Sequence, residues 1–166
     1  MLQYFKCRDV KSPERRKGDA GFDFFVPKDF NAEMLPTEQD RRWAFNLDGK
    51  YELNSGCDLL IPSGLHVRLP VDHVLMLADK SGVATRKKLM VAAKIIDESY
   101  QGEIHYHMVN FSNGIILISP GEKIIQGLLI RCNYMGSAEI SSLEKLYKNH
   151  SKSHRGSGGF GSTGSY

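Results

Sequence analysis

This chain of 166 residues has few cysteines, a single tryptophan and no long apolar run. Each shortage excludes something. The three cysteines, Cys7, Cys57 and Cys132, are odd in number, far apart and without a C-x-x-C pair. That spacing excludes a disulfide framework and a zinc knuckle, and it predicts buried free thiols in a reducing compartment. No apolar stretch approaches the roughly 20 residues that cross a bilayer. The start, Met1-Leu2-Gln3-Tyr4-Phe5-Lys6, lacks the apolar core of a signal peptide. The expectation is an intracellular protein with no membrane partner. Strong charge is missing too: 22 basic against 19 acidic side chains leave a formal +3. That is too mild for direct nucleic-acid binding, yet it suits a small anionic ligand such as a nucleotide. There is no internal repeat.

What the chain does have is a series of short β segments with turn signals between them. Leu2–Lys6 has strand character, and the charged stretch 12–17 with Pro13 reads as a loop. Ala20–Val26 reads as a strand with Asp23 set among aromatics. Asp58–Pro62 is expected to end at a turn, Ser63-Gly64, before a second strand, Leu65–Pro70. His73–Ala78, Ile115–Ile118 and Ile124–Cys132 read as further strands, and 83–88 as one short helical turn. The stretch from Lys94 to Asn110 reads as a hairpin whose turn is Asp97–Gly102. Short strands at regular spacing argue an all-β barrel or sandwich.

Two stretches differ from this background. Residues 28–56 read as a loop or short hairpin inserted between core strands, with Trp43, Phe45 and Leu47 alternating and Trp43 packing it onto the body. This stretch is decoration or a surface for a protein partner. From Ser151 the chain is rich in Gly and Ser, a composition too poor in apolar area to offset its ordering entropy. The expected organisation is one β domain over 1–150 and a C-terminal arm over 151–166.

Taken singly, the polar turns are weak signals. Asp97 is a common turn-former, Ser81-Gly82 is a common turn, and the glycine tail reads as a linker. His105 and His107 share a strand face, but two histidines without a third ligand do not make a zinc site, so a polar face or channel lining is the plainer reading. The clusters Arg15-Arg16-Lys17 and Arg86-Lys87-Lys88 read as solvated surface.

Their order along the chain changes the weights. Ala20-Gly21-Phe22-Asp23, then Lys80-Ser81-Gly82, then Ile95-Ile96-Asp97-x-x-Tyr100-x-Gly102-Glu103, then Pro120-Gly121-Glu122-Lys123-Ile124 with Gln126, then Arg155-Gly156-x-x-Gly159-Phe160-Gly161-Ser162-Thr163-Gly164 resembles the five motifs of the trimeric all-β dUTPase family. The third and fifth are the most specific. The resemblance implies a jelly-roll-type β-barrel and a homotrimer with active sites at its interfaces. It implies hydrolysis of dUTP to dUMP and pyrophosphate with Mg²⁺, which keeps uracil out of DNA and supplies dUMP for thymidylate synthesis.

The resemblance also implies roles. Asp97 would be the base that activates water against the α-phosphorus; an ionised carboxylate within reach of the water can do this at neutral pH. Tyr100 would pack under the deoxyribose and leave no room for a 2′-hydroxyl. Lys80, Ser81, Gly82 and Gln126 would face the phosphates, with Gly82 allowing close backbone approach. Asp23 would support Mg²⁺ through water, the direct ligands coming from substrate phosphates. Backbone groups of the Val91–Ile96 strand, Ile95 and Ile96 among them, would read uracil. In the arm, Arg155 would fork onto the γ-phosphate, Phe160 would stack on uracil, and Gly161, Ser162 and Thr163 would close over the nucleotide. Such a site takes one subunit's first, second and fourth motifs, a second subunit's third, and the arm of the remaining one.

The chain departs from the family pattern at three places. The second motif usually reads Pro-Arg-Ser-Gly; here it is Asp79-Lys80-Ser81-Gly82, and lysine keeps the charge but loses the planar fork. Glycine usually stands where this chain has Lys94, so that side chain must point away from the base or reshape the slot. The 28–56 stretch has no counterpart in the minimal family. Two other readings remain: a dCTP deaminase-like enzyme of the same fold, and a dUTPase-like regulatory protein that binds a partner.

Overall fold

The structure, a computed structural model, describes residues 1–36 and 45–149. It groups Met1–Asn133 as one compact unit and Tyr134–Tyr166 as another. The strands are β1 (Gln3–Lys6), β2 (Phe22–Phe25), β3 (Tyr51–Leu53), β4 (Asp58–Arg68), β5 (His73–Asp79), β6 (Leu89–Val91), β7 (Ile95–Ile96), β8 (Glu103–Asn110), β9 (Ile116–Ile118) and β10 (Lys123–Arg131). One helix, α1 (Ser81–Lys87), follows β5. In the second unit Ser142 caps a short helix, α2 (Leu143–Leu146), by accepting from the Lys145 N–H at 3.2 Å.

Two four-stranded antiparallel sheets, β1-β4-β8-β6 and β2-β10-β5-β7, and a two-stranded pair, β3-β9, enclose one apolar cluster. Alternation explains the pairing of faces. In β8, Ile104, Tyr106, Met108 and Asn110 point inward, while Glu103, His105, His107 and Val109 stay half-exposed. Tyr106 meets Phe24 of the other sheet edge-on, centroids 6.4 Å apart. Each fully buried side chain of this size stabilises the fold by about 1.5–3 kcal/mol. The polar exception, Asn110, is buried and donates to the carbonyls of Leu53 and Gly114, both at 2.8 Å, so its burial is compensated. The all-β expectation is borne out.

Several local expectations are corrected. Ser63-Gly64 does not end a strand: β4 is one strand of 11 residues whose register slips between Pro62 and His66. Gly64 sits at φ +74°, and a Cβ there would lie 3.0–3.2 Å from Val10 and Arg8. Local composition marks a turn; the neighbouring loop makes it a bulge. The hairpin between Lys94 and Asn110 is only half a hairpin. Its base pairs β6 with β8, and the Ala92 N–H still donates to the His107 carbonyl at 2.8 Å. The outgoing arm then leaves, and β7 pairs with β5 in the other sheet.

The 28–56 stretch is more than decoration: Phe30, Leu35, Tyr51 and Leu53 belong to the core, and Phe30, Phe45 and Tyr51 stack on one another. Phe45 makes one isolated bridge to Tyr51, and Leu47 is exposed in the turn, so the expected alternating strand does not form there. Trp43 lies outside the described residues. The cysteines are not buried either: Cys7 and Cys57 are exposed and Cys132 is half-buried, all three as free thiols.

Candidate active site

Three of the quoted motifs meet in one cleft of about 300 Å³, lined by Arg16, Asp19, Ala20, Gly21, Asp23, Lys80, Lys123 and Gln126. The sheet builds it. β10 lies between β2 and β5, so Gln126 stands beside Asp23 on one side and Ala78 on the other. The Asp23 carboxylate accepts from the Lys80 ammonium on one oxygen, and from Lys123 Nζ at 2.8 Å on the other. Burial would push this carboxyl up; the hydrogen bonds from Lys123 and Lys80 outweigh it and hold the group below the usual range. Gln126 Nε2 donates to the Asp79 carbonyl at 2.8 Å. Gly21 leaves room for that amide, because a Cβ there would meet Gln126 Oε1 at 2.9 Å and the Gly127 carbonyl at 3.3 Å.

Lys80 is thus turned onto Asp23 rather than left free for phosphate. Lys123 is a cleft residue that the sequence reading quoted within its motif without assigning it a role. Asp79, next to Lys80, is a second quoted residue to which the sequence assigned no role. Its Oδ1 accepts the Val91 N–H at 2.7 Å, which ties the end of β5 to β6. A proline at this position, usual in the family, would have no such acceptor. Ser81 and Gly82 open α1, where backbone N–H groups have no acceptor within the helix.

The third motif stands apart. Ile96 pairs with Leu75, whereas Gln126 pairs with Ala78 on the opposite edge of β5. At about 3.3 Å per residue and 4.8 Å per strand, Asp97, one residue beyond the Ile96–Leu75 pair, lies roughly 13 Å along the sheet and a further 10 Å across it from Gln126. A single chain therefore brings Asp23, Lys80 and Gln126 together and leaves Asp97 and Tyr100 elsewhere.

The Asp97–Tyr100 segment is a tight turn, closed by the Tyr100 N–H donating to the Asp97 carbonyl at 3.1 Å. The Asp97 carboxylate is exposed and has no hydrogen-bond partner among the described residues. Glu98 holds the turn from one side by accepting the Asp72 N–H at 2.9 Å. The Tyr100 ring lies over Gly102, where a Cβ would come within 2.4–2.6 Å of it, and its hydroxyl donates to the Glu103 carbonyl at 2.9 Å. Lys94 is exposed and its carbonyl accepts the Leu77 N–H at 2.6 Å, so the side chain that replaces the family's glycine points to solvent. Arg155, Phe160, Gly161, Ser162 and Thr163 lie outside the described residues.

Among the described residues no group of three His, Cys, Asp or Glu is placed to hold a metal ion. His107 instead meets Asp58 at 2.7 Å and His105 meets the Glu103 carbonyl at 3.0 Å. With three cations and two carboxylates around it, the cleft is a poor cage for a bare divalent ion and a good seat for a polyanion. Its residues would suit a metal whose direct ligands came from phosphate oxygens, which Asp23 could support through water. No described helix is long and apolar enough to cross a membrane.

A model of the dUTPase family matches residues 45–164. A deoxyuridine 5′-triphosphate nucleotidohydrolase of Dictyoglomus turgidum is 33% identical over 111 residues, 66% of this chain and 71% of the relative. Another, of Treponema pallidum, is 32% identical over 126 residues, 73% of this chain and 80% of the relative. Among solved structures, a Staphylococcus bacteriophage 80alpha dUTPase variant with dUpNHpp superposes with a TM-score of 0.75 at 21% identity, covering 99% of this chain and 98% of that one. The EIAV dUTPase gives 0.63 at 22% identity, covering 86% and 98%. The dUTPase of Staphylococcus aureus phage phi11 gives 0.68 at 19% identity, covering 87% and 99%, and is described as coordinating a structural Mg(II) ion. At these identities the solved structures speak for the fold.

Proposed function

The chain belongs to the dUTPase family, and on that premise we propose how its residues share the hydrolysis of dUTP to dUMP. The observation that carries the proposal is the separation of the phosphate-facing cleft from the Asp97–Tyr100 turn within one chain. The two halves of the site then come from different copies in a homotrimer, and an isolated chain is inactive.

Asp97 takes a proton from a water as that water's oxygen bonds to the α-phosphorus. The bond to the bridging oxygen breaks, and pyrophosphate leaves with the electron pair. The carboxylate is exposed and has no hydrogen-bond partner among the described residues, which suits it to this work. Tyr100 packs beneath the deoxyribose and excludes a 2′-hydroxyl. The opening between the two arms of the split hairpin, from Val91 to Ile96, receives uracil, and backbone groups near Ile95 and Ile96 read its edge. Mismatched buried polar groups would reject cytosine there.

On the other side, the Ser81 hydroxyl, the first N–H groups of α1 and the remaining amide N–H of Gln126 face the phosphates. Lys80 and Lys123 hold Asp23 and add positive charge to the cleft. A bound Mg²⁺ would neutralise charge on the phosphate oxygens, with Asp23 accepting from its water. Arg155, Phe160, Gly161, Ser162 and Thr163 close over the nucleotide from the remaining copy and exclude bulk water. The site works on an intracellular nucleotide pool.

Pyrophosphate release is to be measured from dUTP, dCTP, dTTP and UTP, with and without Mg²⁺, alongside the mass of the particle in solution. Metal-dependent turnover confined to dUTP, by a trimer, is expected. Ammonia release from dCTP, or full activity in a monomer, overturns the proposal. Truncation before Arg155 should leave the trimer folded and remove most of the turnover.

A further inference from the structure

We propose that Arg8 and Glu103 are positioning residues for Tyr100, and that through it they set the preference for deoxyribose over ribose. The inference rests on the dUTP-hydrolysing site described above. Its starting point is how little holds Tyr100. Tyr100 is 43% exposed and its ring packs on Gly102, and among the described residues its hydroxyl bonds the Glu103 carbonyl alone, which fixes its tilt. A side chain that discriminates by shape must stand still, within about half an ångström of its working position. The place of the Glu103 carbonyl therefore decides the place of the ring.

Glu103 is held far more firmly than Tyr100. Arg8 approaches its carboxylate as a fork, Nε to Oε1 at 2.9 Å and Nη2 to Oε2 at 3.1 Å. The Gly64 N–H adds a bond to Oε1 at 2.7 Å. Burial would raise this carboxyl; the Arg8 fork and the Gly64 N–H hold it below the usual range and so keep it charged. The anchor points are themselves fixed. Gly64 is the bulge residue that only a glycine fills, pressed against Arg8 and Val10, and its carbonyl accepts the Cys7 N–H at 2.9 Å. A second tie joins the His66 ring to the Gln101 carbonyl at 2.9 Å. The β4 bulge, the loop after β1 and the catalytic turn thus form one braced unit, with the Arg8–Glu103 pair at its centre.

Asp97 shares the turn with Tyr100 through the Tyr100 N–H bond to its carbonyl, but it has two further supports that do not pass through Glu103, the β7–β5 pairing and the Glu98 bond to Asp72. Loosening Glu103 should therefore act on sugar selection more than on water activation. The test compares Glu103→Gln, Arg8→Ala, Arg8→Lys and Tyr100→Phe, and the double variant Glu103→Gln/Tyr100→Phe, in steady-state hydrolysis of dUTP and UTP, with melting followed in parallel. Glu103→Gln keeps the shape of the side chain and serves even where Arg8→Ala fails to fold.

The kcat/KM ratio of dUTP over UTP is expected to fall about tenfold or more in Glu103→Gln, mainly through KM for dUTP, with kcat within about threefold of wild type. Arg8→Lys should lie between Arg8→Ala and wild type, since it keeps the charge without the fork. The double variant should be no worse than its worse single change, because both break the same tie. A ratio within twofold of wild type in Glu103→Gln and Arg8→Ala, with melting lowered, would make the pair a structural brace and overturn the inference alone. Losses that multiply in the double variant overturn it as well. A wild type that leaves dUTP intact overturns the proposed function and this inference with it.

Discussion

The Asp23 cleft and the Asp97 turn are both polar, and they are built in opposite ways. In the cleft the side chains satisfy one another: Asp23 takes Lys80 and Lys123, and Gln126 takes the Asp79 carbonyl. In the turn the Asp97 carboxylate has no hydrogen-bond partner among the described residues, and the fixing is done around it by Glu98, Glu103 and Gly102. The first is a closed electrostatic cluster, which holds its shape before a ligand arrives. The second is a scaffold around a group kept idle. A site that positions phosphates gains from the former, and one that needs a base gains from the latter.

That contrast can be broken most forcefully at Asp97. Asp97→Asn removes the proposed base and no side-chain hydrogen bond among the described residues, so turnover should drop about 100-fold or more while melting stays put. Equal rates for the two proteins would sink the assigned chemistry. Asp23→Asn should do the reverse, leaving two ammonium groups against a neutral amide and lowering stability on the order of 1–3 kcal/mol, as urea denaturation would read.

Each of the two regions carries a pH signature. Asp23 and Glu103 both sit below their ordinary values of 3.8 and 4.5 in the folded chain. The unfolded chain binds those protons first, so their contribution is full above about pH 5 and is lost as pH falls through 4 and below. Denaturation midpoints from pH 6 to 2 should fall less steeply in Asp23→Asn than in wild type. Gly21→Ala should be milder, displacing the Gln126 amide and raising KM roughly three- to tenfold without unfolding, since the clash falls on a flexible side-chain end. Asp79→Ala should be the mildest. It leaves the Val91 N–H without its acceptor and costs about 1 kcal/mol.

Much of this was legible in the sequence, and the gaps have a common cause. The hairpin reading of Lys94–Asn110 placed a strand at its end and set His105 and His107 on one face of it, because a strand's period is local. Ser63-Gly64 misled for the same reason: the pair has turn chemistry, and only Arg8, Val10 and Glu103, distant in sequence, make it a bulge. The split hairpin was hidden because Ile95 and Ile96 carry no mark of which sheet they join. Motif order exposed Asp23, Lys80, Gln126 and Asp97. It did not expose the partner of each, so Lys123, inside a quoted motif, went without a role, and Asp79 was noted only as a departure. An unusual residue beside a known motif was the available signal.

The two-residue strand β7 has one further consequence. Its register with β5 spans only Leu75–Ile96 and Met76–Ile95, yet in the proposed site it would carry one wall of the base slot. So short a ladder is among the first segments to open while the core stays folded, and its amides should exchange with solvent well ahead of those in β8 or β10. Nucleotide would protect those two amides directly. The slot would then admit its base by breathing at one edge, with the rest of the sheet undisturbed.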